Sequence, residues 1–376
     1  MNAPTLRRPA RQRGVAAILV TVSALALIAM AGLALDLGVA YVAKSRLQNA
    51  LDAAALSGAK ILNDTRSVSL ATTAAQTDFA ANMGSISVTV AVSTSPTLTP
   101  FASGPNPRFL RVSVAALPVA LRLVSALPGI GDTLNVAGSA VAGPIPLGGT
   151  ICSALPVALC GTNNDTDCSD GACYGYTAGA ANEIEFKGDN TSLKSGNYGL
   201  VELSCGTGAS CVRSGMAGGE EYCFTIGGTL VTEPGVKQGP TSQGLDTRFG
   251  IYAGPTSAAQ YPPDVVTANS PVIFYNTYLS LLSSGVWNYP SPPGRPQRRV
   301  VTVPVINCST PVTGRSTVPL LGGACVFLTR PVSSSGSIYG QLITACEADG
   351  SVPTNPDPAS PYYKIILYRD PASSQS

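Results

Sequence analysis

VAAILVTVSALALIAMAGLAL, residues 15–35, runs twenty-one positions without a charge and stops at Asp36. As a helix it rises roughly 31 Å at about 1.5 Å per residue, the thickness of a bilayer's hydrocarbon core. Val15, Ala17, Leu19, Leu25, Leu27, Leu33 and Leu35 are the side chains expected to anchor it in lipid. Upstream, Arg7, Arg8, Arg11 and Arg13 crowd the first thirteen residues without an acid. By the positive-inside rule these arginines keep the N-terminus cytoplasmic and send the chain after Asp36 across. Ala29-Met30-Ala31 has the form of a signal-peptide cleavage site, but the apolar run and helical pattern continue past it, which favours a retained anchor. Arg7-Arg8 is followed by Pro9 and lacks the rest of a twin-arginine signal.

The helical pattern outlasts the apolar run. No proline occurs from residue 37 to 62, and Leu37, Tyr41, Leu47, Leu51, Ala54, Ala55, Gly58 and Leu62 recur at three- and four-residue steps. Arg46, Gln48, Asn49, Asp52 and Lys60 lie mostly off that stripe. A helix over 15–62 would be on the order of 70 Å long, its outer half serving as a stalk or as an assembly surface.

Several linked strings in this segment carry a resemblance: Arg11-Gln12-Arg13-Gly14-Val15-Ala16-Ala17, the apolar span, Leu35-Asp36-Leu37-Gly38-Val39-Ala40-Tyr41, and Leu47-Gln48-Asn49-Ala50-Leu51-Asp52-Ala53-Ala54-Ala55. Together they resemble the N-terminal module of TadE/TadG-like proteins, components of the tight-adherence (Flp) pilus assembly system. The resemblance implies a membrane-anchored, minor pilin-like component in the bacterial inner membrane, with other Tad/Flp assembly proteins as partners. It implies Gly14, Asp36, Gly38, Tyr41, Leu47, Gln48, Asn49, Asp52, Ala53 and Ala54 as the family motif, and nothing catalytic. Pilin-like relatives cut by a prepilin peptidase carry Glu five residues after the glycine, where this chain has Leu19, so the resemblance here points to an uncleaved, TadG-like anchor. The D-x-S-x-S string of the von Willebrand factor A domain that TadG-type proteins often carry does not occur in this sequence. Residues 298–306, 323–328 and 338–343 also resemble the C-terminal ends of TadG-like proteins, more briefly.

The whole chain has 376 residues, 12% charged and 45% hydrophobic, with net charge +2, which argues against an acidic disordered chain and against a nucleic-acid binder. Gly 39 and Pro 30 favour many short strands and turns after the anchor. The expected fold class is α+β: an N-terminal transmembrane helix continuing into a stalk, then a small mixed α/β layer, then a β-rich disulfide-containing domain. The expected boundaries are 1–62 for tail, span and stalk, 63–148 for the mixed layer, 149–369 for the Cys-rich domain and 370–376 for a frayed tail. Within the mixed layer, residues 71–82 read as helix, and 86–92, 109–115 and 133–142 as strands. Pro118 would open a short apolar helix through Leu127, more naturally a core element than a membrane-surface one.

All ten cysteines, Cys152, Cys160, Cys168, Cys173, Cys205, Cys211, Cys223, Cys308, Cys325 and Cys346, follow the anchor. An even count confined to the translocated part reads as a disulfide framework in a periplasmic or extracellular compartment. Spacing leaves connectivity open, with Cys168/Cys173 and Cys205/Cys211 as candidate local bridges. Residues 299–306 and 324–329 should pair in a terminal sheet, 222–226 is strand-like, and 362–368 could add a last strand.

Enzymatic signals are weak. The chain contains no histidine and no C-x-x-C, which removes histidine-based triads, H-E-x-x-H and thioredoxin-type sites. Ser57-Gly-Ala-Lys60, Ser195-Gly-Asn197 and Lys194-Ser-Gly196 superficially follow the penicillin-binding motifs, but the last two overlap and cannot line opposite walls of one cleft. Asp165, Asp167, Ser169 and Asp170 cluster oxygens, yet Gly171 and Tyr176 break the EF-hand spacing, so a polar turn is expected there. No metal, cofactor or catalytic residue is expected. The alternatives to pilus assembly are an extracytoplasmic binding or adhesion module and, behind it, a histidine-free enzyme.

Overall fold

A computed structural model describes residues 13–371 apart from 85, 87, 124–130, 169, 180–182, 188–196, 207, 268–271, 286–293 and 309–311. Helix α1, Arg13–Thr65, is continuous through the apolar run and the segment after it, as the absence of proline and the sustained periodicity require. From Ala16 onward it is long and apolar enough to cross a membrane, with mean hydropathy 2.5 in its most apolar window, of which 6% is buried. Arg66 then takes φ 57° and turns the chain back. Ser67 caps α2, Val68–Met83, its hydroxyl accepting from the Leu70 amide at 3.4 Å. Ala71, Ala75, Phe79 and Met83, four residues apart, form the face that α2 buries.

Strands β1 (Ala91–Ser95), β2 (Phe109–Ala120) and β3 (Thr133–Pro146) form an antiparallel sheet under the two helices. Alternate residues of β2, Leu110, Val112, Val114, Leu117 and Val119, point into this core. The three-residue step from Val114 to Leu117 coincides with a register shift against β3, which keeps the far half of the strand facing inward. The first strand begins at Ala91, later than residue 86 as expected from sequence. The helix expected to start at Pro118 is corrected too: residues 118–120 extend β2, and 124–127 lie outside the described residues. Among the described residues β2 has no partner from β1 beyond Ser113, so the missing N–H of Pro118 breaks no described ladder bond. The terminal strand Tyr362–Tyr368 forms as expected, but lies antiparallel to β3 in this first sheet.

A second sheet is built on Val300–Asn307 and Thr317–Leu328, paired antiparallel from Val300/Phe327 onward. The short strand Leu159–Gly161 runs parallel beside the first of these. Thr229–Pro234 and Ile338–Ile343 flank opposite ends of the second. Both faces of this sheet are covered. Val301, Val303, Val305, Val326 and Leu328 pack with Val212, Met216 and Leu245 from helices α3 (Ala209–Ala217) and α4 (Gln238–Leu245). Ile306, Cys325 and Phe327 pack on the other face with Tyr278 and Leu282 of α5, Tyr275–Ser284. Of residues 222–226 only Phe224–Thr225 is strand.

All ten cysteines are paired: Cys152–Cys223, Cys160–Cys308, Cys168–Cys173, Cys205–Cys211 and Cys325–Cys346. The two candidate local bridges are among them.

Candidate functional site

The motif segment lies entirely on α1, which presents two different faces. The inner face carries Leu47, Leu51, Ala54, Ala55, Ala59 and Leu62, all buried against α2 and the first sheet. Alanines and leucines share it, and α2 and β3 approach closely. At Gly138 on β3 an added Cβ would stand 2.9 Å from Leu51 Cδ1, so a larger residue there would push Leu51 aside. Gln48 stitches the two together, its Nε2 donating to Asp52 Oδ1 at 2.8 Å and to the Ser139 carbonyl at 3.1 Å. Ala53 is half-buried at the margin of this face.

The outer face is open. Leu19, Leu25, Leu27, Leu33 and Leu35 are exposed along the apolar run, as is Ala17. Arg13, Gly14 and Val15 belong to α1 but their side chains are not described, and Arg7, Arg8 and Arg11 precede the described residues. Past the run, Leu37, Val39, Tyr41 and Val42 remain exposed, Tyr41 by 75%. Gly38 meets no neighbour. Tyr41, Ser45, Arg46, Asn49 and Asn82 line a shallow depression of about 400 Å³ between α1 and the end of α2. Arg46 crosses it to donate to the Met83 carbonyl at 2.9 Å, closing the C-terminus of α2 where cations are favoured.

At its upper end α1 is tied to the rest of the molecule. Arg108 Nε donates to Asn63 Oδ1 and Asn63 Nδ2 to the Arg108 carbonyl, both at 2.9 Å. Lys60 pairs with Glu347 and, at 3.4 Å, with Asp64. Burial alone would lower the Lys60 pKa, but the two carboxylates outweigh it and hold the ammonium above its ordinary value. Burial pushes Asp64 up to about 7 against the attraction of Lys60. Ser57 therefore stands one turn from a lysine that is held charged, which cannot take its proton. Ser195 is outside the described residues.

A second polar constellation was not visible in the sequence. Asp264, fully buried, accepts from Tyr278 Oη at 2.8 Å and from the amides of Arg299 and Val266, each at 2.9 Å. The Arg299 guanidinium donates to the Leu328 and Thr329 carbonyls at 2.9 Å and lies 4.6 Å from the ring centres of Phe249 and Phe327. Burial raises Asp264 to about 6. Its partners are backbone and core side chains, so the cluster joins α5 to the second sheet. In the loop of Asp165, Asp167 and Asp170, Asp165 Oδ1 and Asp170 Oδ1 accept backbone amides two residues on, around the Cys168–Cys173 bridge.

The model of the TadE/G-like Flp pilus-assembly family matches residues 14–60, which is α1 from its first turn to the Lys60 junction. No curated protein matches the chain, and no solved structure does. The matched segment is thus the one in which a docked inner face and an open apolar outer face share one helix.

Proposed function

We propose that the chain is a membrane-anchored structural component of a Tad/Flp-type pilus assembly system, minor pilin-like in its N-terminal helix. In this reading the first half of α1 crosses the inner membrane, the arginines before it stay cytoplasmic, and the sheets with their five disulfides stand outside. The observation that carries the proposal is the match over residues 14–60 to that family, on a helix whose outer face is apolar and unshielded. The outer half of that face, around Tyr41 and Asn49, is the surface offered to other pilus components. No catalytic step is assigned to it. The chemistry of Lys60, Asp264 and the Asp165 loop is that of structural pairing.

Deleting this one chain and imaging the cell surface tests the role: pili should be lost, and restored by the full-length chain. Normal pili with lost attachment would replace the proposal with an adhesion module. Anchoring is tested separately. Alkaline carbonate should leave the chain in the membrane, and protease added to spheroplasts should remove an epitope after Ser376 while sparing one at Met1. A protected C-terminal epitope would overturn the orientation.

A further inference from the structure

Gly32, Asp36 and Ala40 extend the buried stripe of α1, four residues at a time, down into the uncharged run. Arg122 and Leu123, just past the end of β2, cover Gly32 and Asp36. Asp36 Oδ1 accepts from the Arg122 amide at 3.1 Å and Oδ2 from the Leu123 amide at 2.9 Å, leaving Asp36 only 5% exposed. A Cβ on Gly32 would stand 3.0 Å from that of Leu123. The Leu121 amide donates to the Asp132 carbonyl at 2.8 Å, so the pairing of β2 with β3 continues past Ala120 to Leu121. Gly32 precedes the end of the run by three residues, or roughly 4.5 Å at about 1.5 Å each. Leu123 therefore lies level with the last turn of the apolar span, not above it.

We infer that Arg122 and Leu123, just past β2, form a second membrane contact, with Leu123 in the outer acyl boundary beside α1 and Arg122 among the headgroup phosphates. The inference rests on the proposal that α1 spans the bilayer. Three observations favour lipid as the occupant. Leu123 is 49% exposed at a level of the helix where Leu33, Leu35 and Leu37 are exposed as well. Arg122, exposed beside it, carries the charge that anionic headgroups attract. Asp36, a carboxylate at the edge of an apolar layer, is removed from that layer by two amide donors, those of Arg122 and Leu123 themselves. A single helix leaves a domain free to rotate and tilt on its anchor; a second contact fixes both, and with them the direction in which the Tyr41–Asn49 face points.

The test uses the full chain, one copy per lipid nanodisc, with an environment-sensitive fluorophore on an added cysteine; the ten native cysteines are paired and do not compete. Leu123→Cys is compared with Val20→Cys in the run and Val352→Cys beyond the opposite end of β3, which its fourteen residues place on the order of 45 Å away. With brominated acyl chains, positions 20 and 123 should both be quenched at least twofold and position 352 not at all. Asp36→Ala should at least halve quenching at 123 and leave it unchanged at 20. Quenching at 20 but not at 123 would overturn the second contact while leaving the span intact. Quenching at neither would overturn the span and the contact together. A blue shift at 123 without quenching would mean that protein covers it, which also overturns the lipid assignment.

Discussion

The helix-and-sheet unit around α1 and the second sheet solve the same packing problem by different means. The first buries Ala54, Ala55, Ala59, Ala71 and Ala75 between close-set elements, in a core without cysteine. The second buries large aliphatic and aromatic side chains on both faces of one sheet and has the five disulfides in and around it, Cys325–Cys346 reaching across to the strand beside Tyr362–Tyr368 in the first sheet. Close helix packing in the first unit joins α1 and α2, which are neighbours in the chain, although Tyr362–Tyr368 also returns to β3 there. The second sheet gathers strands from residue 159 to 343, so its cost is the entropy of closing long loops, which covalent links reduce. The largest effects should therefore appear in the second region on reduction, and in the first on changes of side-chain volume.

Breaking Cys160–Cys308, whose ends are 148 residues apart, should have the largest effect. The loop-entropy relation gives about 5 kcal/mol for a loop of that length and about 2 kcal/mol for one the size of Cys168–Cys173. Thermal unfolding of the detergent-solubilised Cys160→Ser/Cys308→Ser pair should fall well below that of Cys168→Ser/Cys173→Ser. Equal losses would mean that loop closure does not govern this region. In the first unit, Leu51→Ala should cost about 2–5 kcal/mol, because Leu51 is fully buried against Gly138 of β3 and its removal leaves a cavity there. Limited proteolysis should then release α2 and the first sheet before the second sheet is cut.

A third expectation concerns the junction between the two. Asp64 titrates near 7 in the folded protein, above its ordinary carboxylate value. Between about pH 4 and 7 the folded state therefore holds a proton that the unfolded chain has lost, so stability falls as pH rises through that window. Asp264 and Asp246, both raised by burial to about 6, act in the same direction. The melting temperature should be a few degrees higher at pH 5 than at pH 7.5, and Asp64→Asn should flatten part of that slope. A slope of opposite sign would mean that Asp64 is more strongly paired than its burial.

What was legible in the sequence follows from the same contrast. Residues 15–62 could be read as one helix because charge is absent from one stretch and periodic in the next. Residues 299–306 and 324–329 could be paired because burial on both faces makes such strands uniformly apolar. Residues 118–120 were misread because Pro118 followed by Leu121, Leu123 and Val124 has helical spacing, while their extended form as the end of β2 depends on pairing with β3, which is distant in sequence. The Asp264–Tyr278–Arg299 cluster joins three separate segments and leaves no local pattern. Asp36 did carry a signal: a carboxylate between two apolar stretches needs partners, although nothing local says that Arg122 and Leu123 supply them.

The smallest expected effect is the most direct check on a structural role. Ser57 and Lys60 have the spacing of a serine acyltransferase motif, and a catalytic serine would need a neutral lysine to take its proton. Lys60 is instead paired with Glu347 and Asp64, which keep it protonated, and both residues sit on a helix whose neighbours are packed against α2 and the first sheet. Ser57→Ala should therefore leave piliation unchanged in a complemented deletion strain, with stability altered by less than about 0.5 kcal/mol for a half-buried hydroxyl at a helix surface. Lys60→Met should lower the melting temperature slightly through the lost pair without changing the number of pili. Loss of piliation in a stably expressed Ser57→Ala variant would give α1 a chemical task, and the contrast between a packed helix unit and a covalently tied sheet would no longer account for the division of labour in the molecule.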